Sequence, residues 1–155
     1  MPRPLLAFLL LATGLAAAGL AACDSAGPEA QRLFEDTAFG SASDGATADD
    51  WRVGPALATR VQVVQAASPN PASPGEQVSL QIYADEAPGG FALYRRQPDG
   101  GLILVQAQPA QNGPYIYTFT FFGSEASPTG TAGSSRLILY DGFERVVTYG
   151  DLVLR

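Results

Sequence analysis

The sequence has no histidine, no lysine and a single cysteine, Cys23, in 155 residues. Without histidine there is no Ser-His or Cys-His pair to activate a nucleophile. One cysteine excludes an intramolecular disulfide, and together with the missing imidazoles it removes the ligand sets used for zinc and most other transition metals. Positive charge is scarce: nine arginines stand against fifteen Asp and Glu, for a formal net charge of −6. Nucleic-acid binding needs a basic face for phosphate contact, and no stretch of the chain supplies one. No candidate catalytic, cofactor-binding or metal-ligating residue follows from a motif, and no cofactor is expected. Seventeen glycines and twelve prolines, many clustered between short apolar runs, suit a turn-rich β domain better than a helical bundle.

The longest uncharged run lies at the start. Arg3 and the free amine precede "LLAFLLLATGLAAAGLAA", Leu5 to Ala22, which carries no charge. A charged beginning followed by an apolar stretch and small residues is the layout of an export signal. The run nears the length of a membrane span. Its second half, however, contains only Ala, Gly, Leu and Thr, which is weakly apolar for a span.

Leu20-Ala21-Ala22-Cys23 resembles a bacterial lipobox. The resemblance implies that the Cys23 thiol receives a diacylglyceryl group and that the signal is cleaved before it. The new amine is then often acylated, palmitate being an expected chain. A thiolate is a good nucleophile for the lipid, and two acyl chains suffice for stable anchoring. Residues 1–22 would then be a lipoprotein signal peptide. Cys23 would be the lipid-attachment residue, holding the protein to a membrane of the bacterial cell envelope. Asp24 leaves inner against outer membrane undecided. The alternative is an ordinary signal peptide with Cys23 incidental.

From Asp24 to about Asp50 the chain is rich in Ala, Ser, Gly, Asp and Thr. Such a segment buries too little apolar surface to offset its ordering entropy, so residues 23–50 read as a lipidated N-terminus and flexible acidic linker. Gln31-Arg32-Leu33-Phe34-Glu35 is the exception, able to form a helical turn or a short docking piece. Trp51 reads as a cap on the edge of the following domain, large aromatics being mostly buried; the other reading is an exposed contact for a glycan or partner.

Residues 51–155 read as one all-β domain. "TRVQVVQA" (59–66), "QVSLQIYA" (77–84), "FALYRR" (91–96), "LILVQA" (102–107), "YIYTFTFF" (115–122), "SRLILYD" (135–141) and "RVVTYGDLVL" (145–154) are short and rich in β-branched and aromatic residues, with turn residues between them. Gln97-Pro98-Asp99-Gly100-Gly101 is a hairpin signal. About seven strands with one apolar face each predict a single antiparallel immunoglobulin-like (fibronectin III-like) β-sandwich, with a small barrel as competitor.

A second resemblance covers 64–84 and 136–148. "VQAASPNPASPGEQVSLQIYA" and "RLILYDGFERVVT" look like the Pro-Asn-Pro β modules of Bacteroidetes-like envelope and secreted proteins. Some of those modules act in sorting or assembly for a secretion system. Here Asp141-Gly142-Phe143-Glu144-Arg145 departs from the family's order, and "GDLVLR" lacks its basic end. The plain reading is that Pro69, Pro71 and Pro74 make a stiff, non-pairing lead-in to a strand.

Carboxylates occur as Asp49-Asp50, Asp85-Glu86 and the trio Asp141, Glu144 and Asp151. Two of them could serve a glycosidase, but acids on loops ordinarily form a solvated face. Weak calcium binding by 84–90 or the 141–144 turn needs only oxygen ligands, although EF-hand spacing is absent. "GSEASPTGTAGSS" (123–135) lacks the lysine of a phosphate loop and reads as a mobile inter-strand loop, the first candidate for contact with a partner. Ser124 and Ser127 have no base to activate them. The expected function is therefore a lipid-anchored envelope protein presenting a β-sandwich for binding, adhesion or scaffolding, without catalysis. Its partner would be an envelope protein or a glycan. The alternatives are a carbohydrate-active enzyme using loop carboxylates, and a sorting or assembly module.

Overall fold

Alternation decides where the strands lie. In 77–84, Val78, Leu80, Ile82 and Ala84 fall on one side and are fully buried. In 115–122, Tyr117, Phe119 and Phe121 do the same. Period-two burial of this kind matches a pleated strand with one face on a core. The computed structural model describes residues 28–40, 51–86, 89–127 and 132–155. Residues 1–22 and Cys23, with the readings placed on them, lie outside the described residues.

The elements in chain order are helix α1 (Pro28–Ala38), β1 (Arg52–Val53), β2 (Val61–Ser68), β3 (Gln77–Ala84), β4 (Phe91–Arg96), β5 (Leu102–Gln108), β6 (Tyr115–Phe122), the single-turn helix α2 (Gly123–Ala126), β7 (Gly133–Asp141) and β8 (Val146–Leu154). One sheet has the order β1-β8-β7-β4-β5 and the other β2-β3-β6. Every strand pair in both is antiparallel. The fold is an all-β sandwich. Its main core lies between the sheets, built around Leu80, Ile82, Leu93, Phe119, Leu137, Leu139 and Leu152. Phe91 meets Tyr117 edge-on at 4.7 Å between ring centroids, closing one end of that core.

Trp51 sits in the core, 7% exposed, as the capping reading expects. The expectation of one apolar face per strand fails for β7. Leu137, Ile138 and Leu139 are all fully buried, so both faces are covered. Leu137 and Leu139 face the other sheet, whereas Ile138 belongs to a second cluster with Ala38 and Val146, against which Phe34, Tyr140 and Tyr149 pack. The cover is α1.

Residues 28–40 are thus not part of a free linker. Gln31 Nε2 donates to Val146 O at 3.2 Å, and its Oε1 accepts from Ala56 N at 3.2 Å. Phe34 lies 5.0 Å from the Tyr149 ring. The docking piece expected at 31–35 is the middle of an eleven-residue helix. The short amphipathic segment would be marginal alone and gains its stability from the sheet.

The Pro-Asn-Pro stretch pairs, contrary to its reading as a non-pairing lead-in. Asn70 Nδ2 donates to Asp151 O at 2.8 Å and its Oδ1 accepts from Val153 N at 2.9 Å. Two residues on, Ala72 forms a parallel bridge with Leu154, its N–H donating to Val153 O and its carbonyl accepting from Arg155 N. Gly54 N donates to Val147 O, and β1 pairs at Thr148 and Tyr149. The outer edge of β8 is therefore satisfied from one end to the other by a two-residue strand, an amide side chain and a bridge. On the opposite seam, Gln106 Oε1 accepts from Thr120 N at 2.8 Å and Gln108 Nε2 donates to Thr118 O at 3.0 Å, lacing β5 to β6. Covered edges protect a β protein from pairing with other chains.

Candidate functional site

Of the sequence trio, the β7–β8 hairpin brings Asp141 to the wall of a recess. Asp141 ends β7. Its Oδ1 accepts from Phe143 N at 3.0 Å and Arg145 N at 2.9 Å, and its Oδ2 accepts from Arg145 Nε at 2.8 Å and Nη2 at 2.6 Å. An Asp that takes backbone N–H groups ahead of it in the chain is an Asx-type turn organiser. Here it also holds a charge-assisted fork. Glu144 takes the left-handed position of the turn, φ 61°. Asp141 is 8% exposed, so the expectation of a solvated acidic face is corrected for it. The arginine four residues on supplies the compensating charge.

Asp151 is corrected in the same sense. Its carboxylate is buried, 1% exposed for the residue, against Arg136 on the neighbouring strand. Arg136 Nη2 donates to Oδ2 at 2.9 Å and Nε donates to Oδ1. The same guanidinium donates through Nη1 to Thr37 O at 3.0 Å and Ala38 O at 3.4 Å, and lies 5.0 Å over the Tyr149 ring. A cation at the last carbonyls of a helix complements its dipole. Register places Arg136 and Asp151 opposite each other, and α1 lies across them.

A cleft of about 410 Å³ opens beside the hairpin, walled by residues 89–92, 107–109 and 141–142. Backbones make close approaches here. A Cβ on Gly90, at φ 77°, would lie 2.2 Å from Gln108 O, and one on Gly89, at φ 84°, would lie 2.7 Å from Gly142 Cα. The polar side chains on the wall are already engaged: Asp141 with Arg145, and the Gln108 amide nitrogen with Thr118. The cleft thus offers shape and backbone rather than an acid–base pair.

The other sequence candidates separate in space. Asp85 accepts from Tyr83 Oη at 2.6 Å on the exposed surface, and that bond raises the Tyr83 phenol pKa. Glu125 bonds back to Phe122 N at 2.7 Å, closing the turn of α2. The loop expected over 123–135 begins as this helix. Ser124 N donates to Pro74 O, and Ser135 Oγ donates to Ala126 O. Asp49 and Asp50 lie outside the described residues, as does 128–131 of that loop. Among the described residues no group of three or more His, Cys, Asp or Glu is placed to hold a metal ion. None of the described helices is long and apolar enough to cross a membrane.

One titratable group reports on α1. Burial pushes the Tyr140 phenol up to about 12, with Glu35 and then Tyr94 adding to the shift. The neutral phenol is the form the fold favours. Its stabilisation is complete below the ordinary value of 10.0 and is lost as pH rises from there through about 12. A tyrosinate absorbance titration is expected to show the Tyr140 phenol titrating late and moving back toward 10.0 in Glu35→Gln. The accompanying loss of stability stays below about 2 kcal/mol, because the partly exposed ring is screened.

No family model matches the chain, and no curated protein matches it. Among solved structures, the chain is similar to a β-D-glucoside glucohydrolase from Trichoderma reesei, at 11% identity and a TM-score of 0.37 over 62% of this chain. It spans only 18% of that enzyme's length. It is also similar to a Niemann-Pick type C2 protein from the Japanese carpenter ant, at 11% identity and a TM-score of 0.30, covering 74% of this chain and 98% of that one. Likenesses this loose carry no argument about activity.

Proposed function

We propose that this chain is a lipid-anchored protein of the bacterial cell envelope. It presents an immunoglobulin-like, fibronectin III-like sandwich for binding, adhesion or scaffolding, without catalysis. The observation that carries the reading is Leu20-Ala21-Ala22-Cys23 at the end of an uncharged run that begins at Leu5. The strand order β2-β3-β6 against β8-β7-β4-β5 supports the immunoglobulin-like assignment. The two carboxylates nearest to catalytic use, Asp141 and Asp151, are each committed to an arginine, which speaks against the glycosidase reading. Asn70 has a structural duty on β8, which speaks for an architectural use of the Pro-Asn-Pro stretch over a sorting role.

A partner would meet the outer face of β2, β3 and β6, since α1 lies over the other sheet. Its cross-strand rows are Gln62-Tyr83-Ile116, Gln65-Gln81-Thr118 and Ser68-Ser79-Thr120. None of these side chains is charged. Amides, hydroxyls, an aromatic ring and the half-exposed Ile116 suit an uncharged surface, whether of a glycan or of an envelope protein. Intact mass and lipid labelling of the wild type against Cys23→Ser test the anchor. The wild type is expected to carry acyl mass and to float with membranes, and the variant to lose both. Unchanged membrane association of Cys23→Ser would overturn the proposal.

A further inference from the structure

The docking of α1 changes how far the sandwich can stand from its anchor. Read as a free coil, the residues between Cys23 and Trp51 would span about 25–30 Å on average and let the domain tumble. With α1 fixed to the sheet, only residues 24–27 separate Cys23 from Pro28. Five steps of extended chain reach at most roughly 18 Å. The start of α1 must therefore lie close to the bilayer in which the acyl chains of Cys23 sit.

The contacts of α1 show which end of the sandwich that is. Gln31 bonds Val146 O, Phe34 meets Tyr149, and the carbonyls of Thr37 and Ala38 meet Arg136 opposite Asp151. The helix runs in the direction of β8, and its first turn lies beside the hairpin that precedes Val146. At the tip of that hairpin is Phe143, 63% exposed, with the Arg145 guanidinium 5.4 Å over its ring. Tyr115 and Ile116, about half exposed, stand at the same end, where Tyr115 pairs with Ala84 and Tyr117 meets Phe91. Aromatic rings and arginines are the side chains that favour the membrane–water boundary.

We propose that the β7–β8 hairpin tip, led by Phe143 and Arg145, rests in the headgroup layer of the bilayer that holds the Cys23 lipid. The sandwich is thus fixed end-on, with the uncharged β2-β3-β6 face turned sideways rather than toward the membrane. The inference rests on the lipidation reading above. Charge does not drive the contact. Glu29, Asp85, Glu86 and Glu144 share this end with Arg60 and Arg145, and Arg145 is paired with Asp141. Neutral phosphatidylcholine therefore suffices, and anionic lipid adds nothing.

The test uses the full acylated protein in phosphatidylcholine vesicles with a headgroup-attached spin-label quencher. An apolar fluorophore is placed at the tip through Phe143→Cys. In a second sample it is placed at the far end through Gly75→Cys, where an added Cβ meets nothing within 4 Å. The tip probe is expected to be quenched several-fold more than the Gly75 probe and to shift to the blue. A long Gly/Ser spacer inserted between Gly27 and Pro28 is expected to bring its quenching down to the level of the far probe. Equal quenching at the two sites, or stronger quenching at the far one, in protein that carries acyl mass and floats with vesicles would overturn the end-on contact alone. Protein without acyl mass on Cys23 would instead overturn the anchor, and the contact with it.

Discussion

Asp151→Ala is expected to cost about 3–5 kcal/mol, among the largest losses available to one substitution in this chain. The carboxylate is fully buried and answers the guanidinium of Arg136, a residue itself only 8% exposed. Removing it takes from Arg136 the carboxylate to which both its Nε and Nη2 donate. The carbonyls of Thr37 and Ala38 and the Tyr149 ring still touch Arg136, which places the loss toward the lower part of that range. The effect reaches α1, because Arg136 held by Asp151 is what caps the helix. Denaturant unfolding gives the first readout and protease cleavage within 28–40 the second, both expected to move together. Arg136→Met with Asp151→Leu separates the two roles. A well-packed apolar pair is expected to restore most of the sandwich's stability while leaving α1 more open to cleavage than in the wild type, its cap being gone. A loss under about 1 kcal/mol in Asp151→Ala would show that the pair is not a stabilising junction.

How much of this could be read from the sequence depends on the range of the contacts involved. The strands 77–84, 91–96 and 115–122 were legible to the residue, because each writes its burial into its own alternation. For β7, Leu137-Ile138-Leu139 is a run of adjacent apolar residues rather than an alternation, and such a run is the mark of a strand covered on both faces. What covers it cannot be read locally: α1 docks through Arg136, 99 positions from Thr37. The same holds for the carboxylates. Asp141 and Arg145 are four apart in a turn, so their pairing had a local signal. Arg136 and Asp151 meet only once the register of the β7–β8 hairpin is set. Asn70 was visible within its motif, but its use depends on where the edge of β8 passes. Of the candidate site residues, Cys23 rests on its motif alone.

Gly150→Ala is expected to be nearly as damaging as Trp51→Ala, although it adds one methyl group. Gly150 lies in β8 under the indole. A Cβ there would stand 2.3 Å from Trp51 Cε2, 2.5 Å from Nε1 and 2.6 Å from Cδ2. Three ring atoms are struck at once, so no small rotation relieves the overlap, and the sheet backbone is held by pairing on both sides. The ring must leave its seat. Losing a buried Trp contact costs about 3–5 kcal/mol. The two substitutions therefore remove the same interaction, and their effects should not add. In Trp51→Ala the space above Gly150 is open, so Gly150→Ala on that background is expected to cost under about 1 kcal/mol and to fill part of the cavity. Trp51 is the only tryptophan, which makes the displacement visible: emission from Gly150→Ala should shift to the red in the folded protein. Full additivity in the double-mutant cycle, or an unshifted spectrum, would mean that the strand moves and the ring stays.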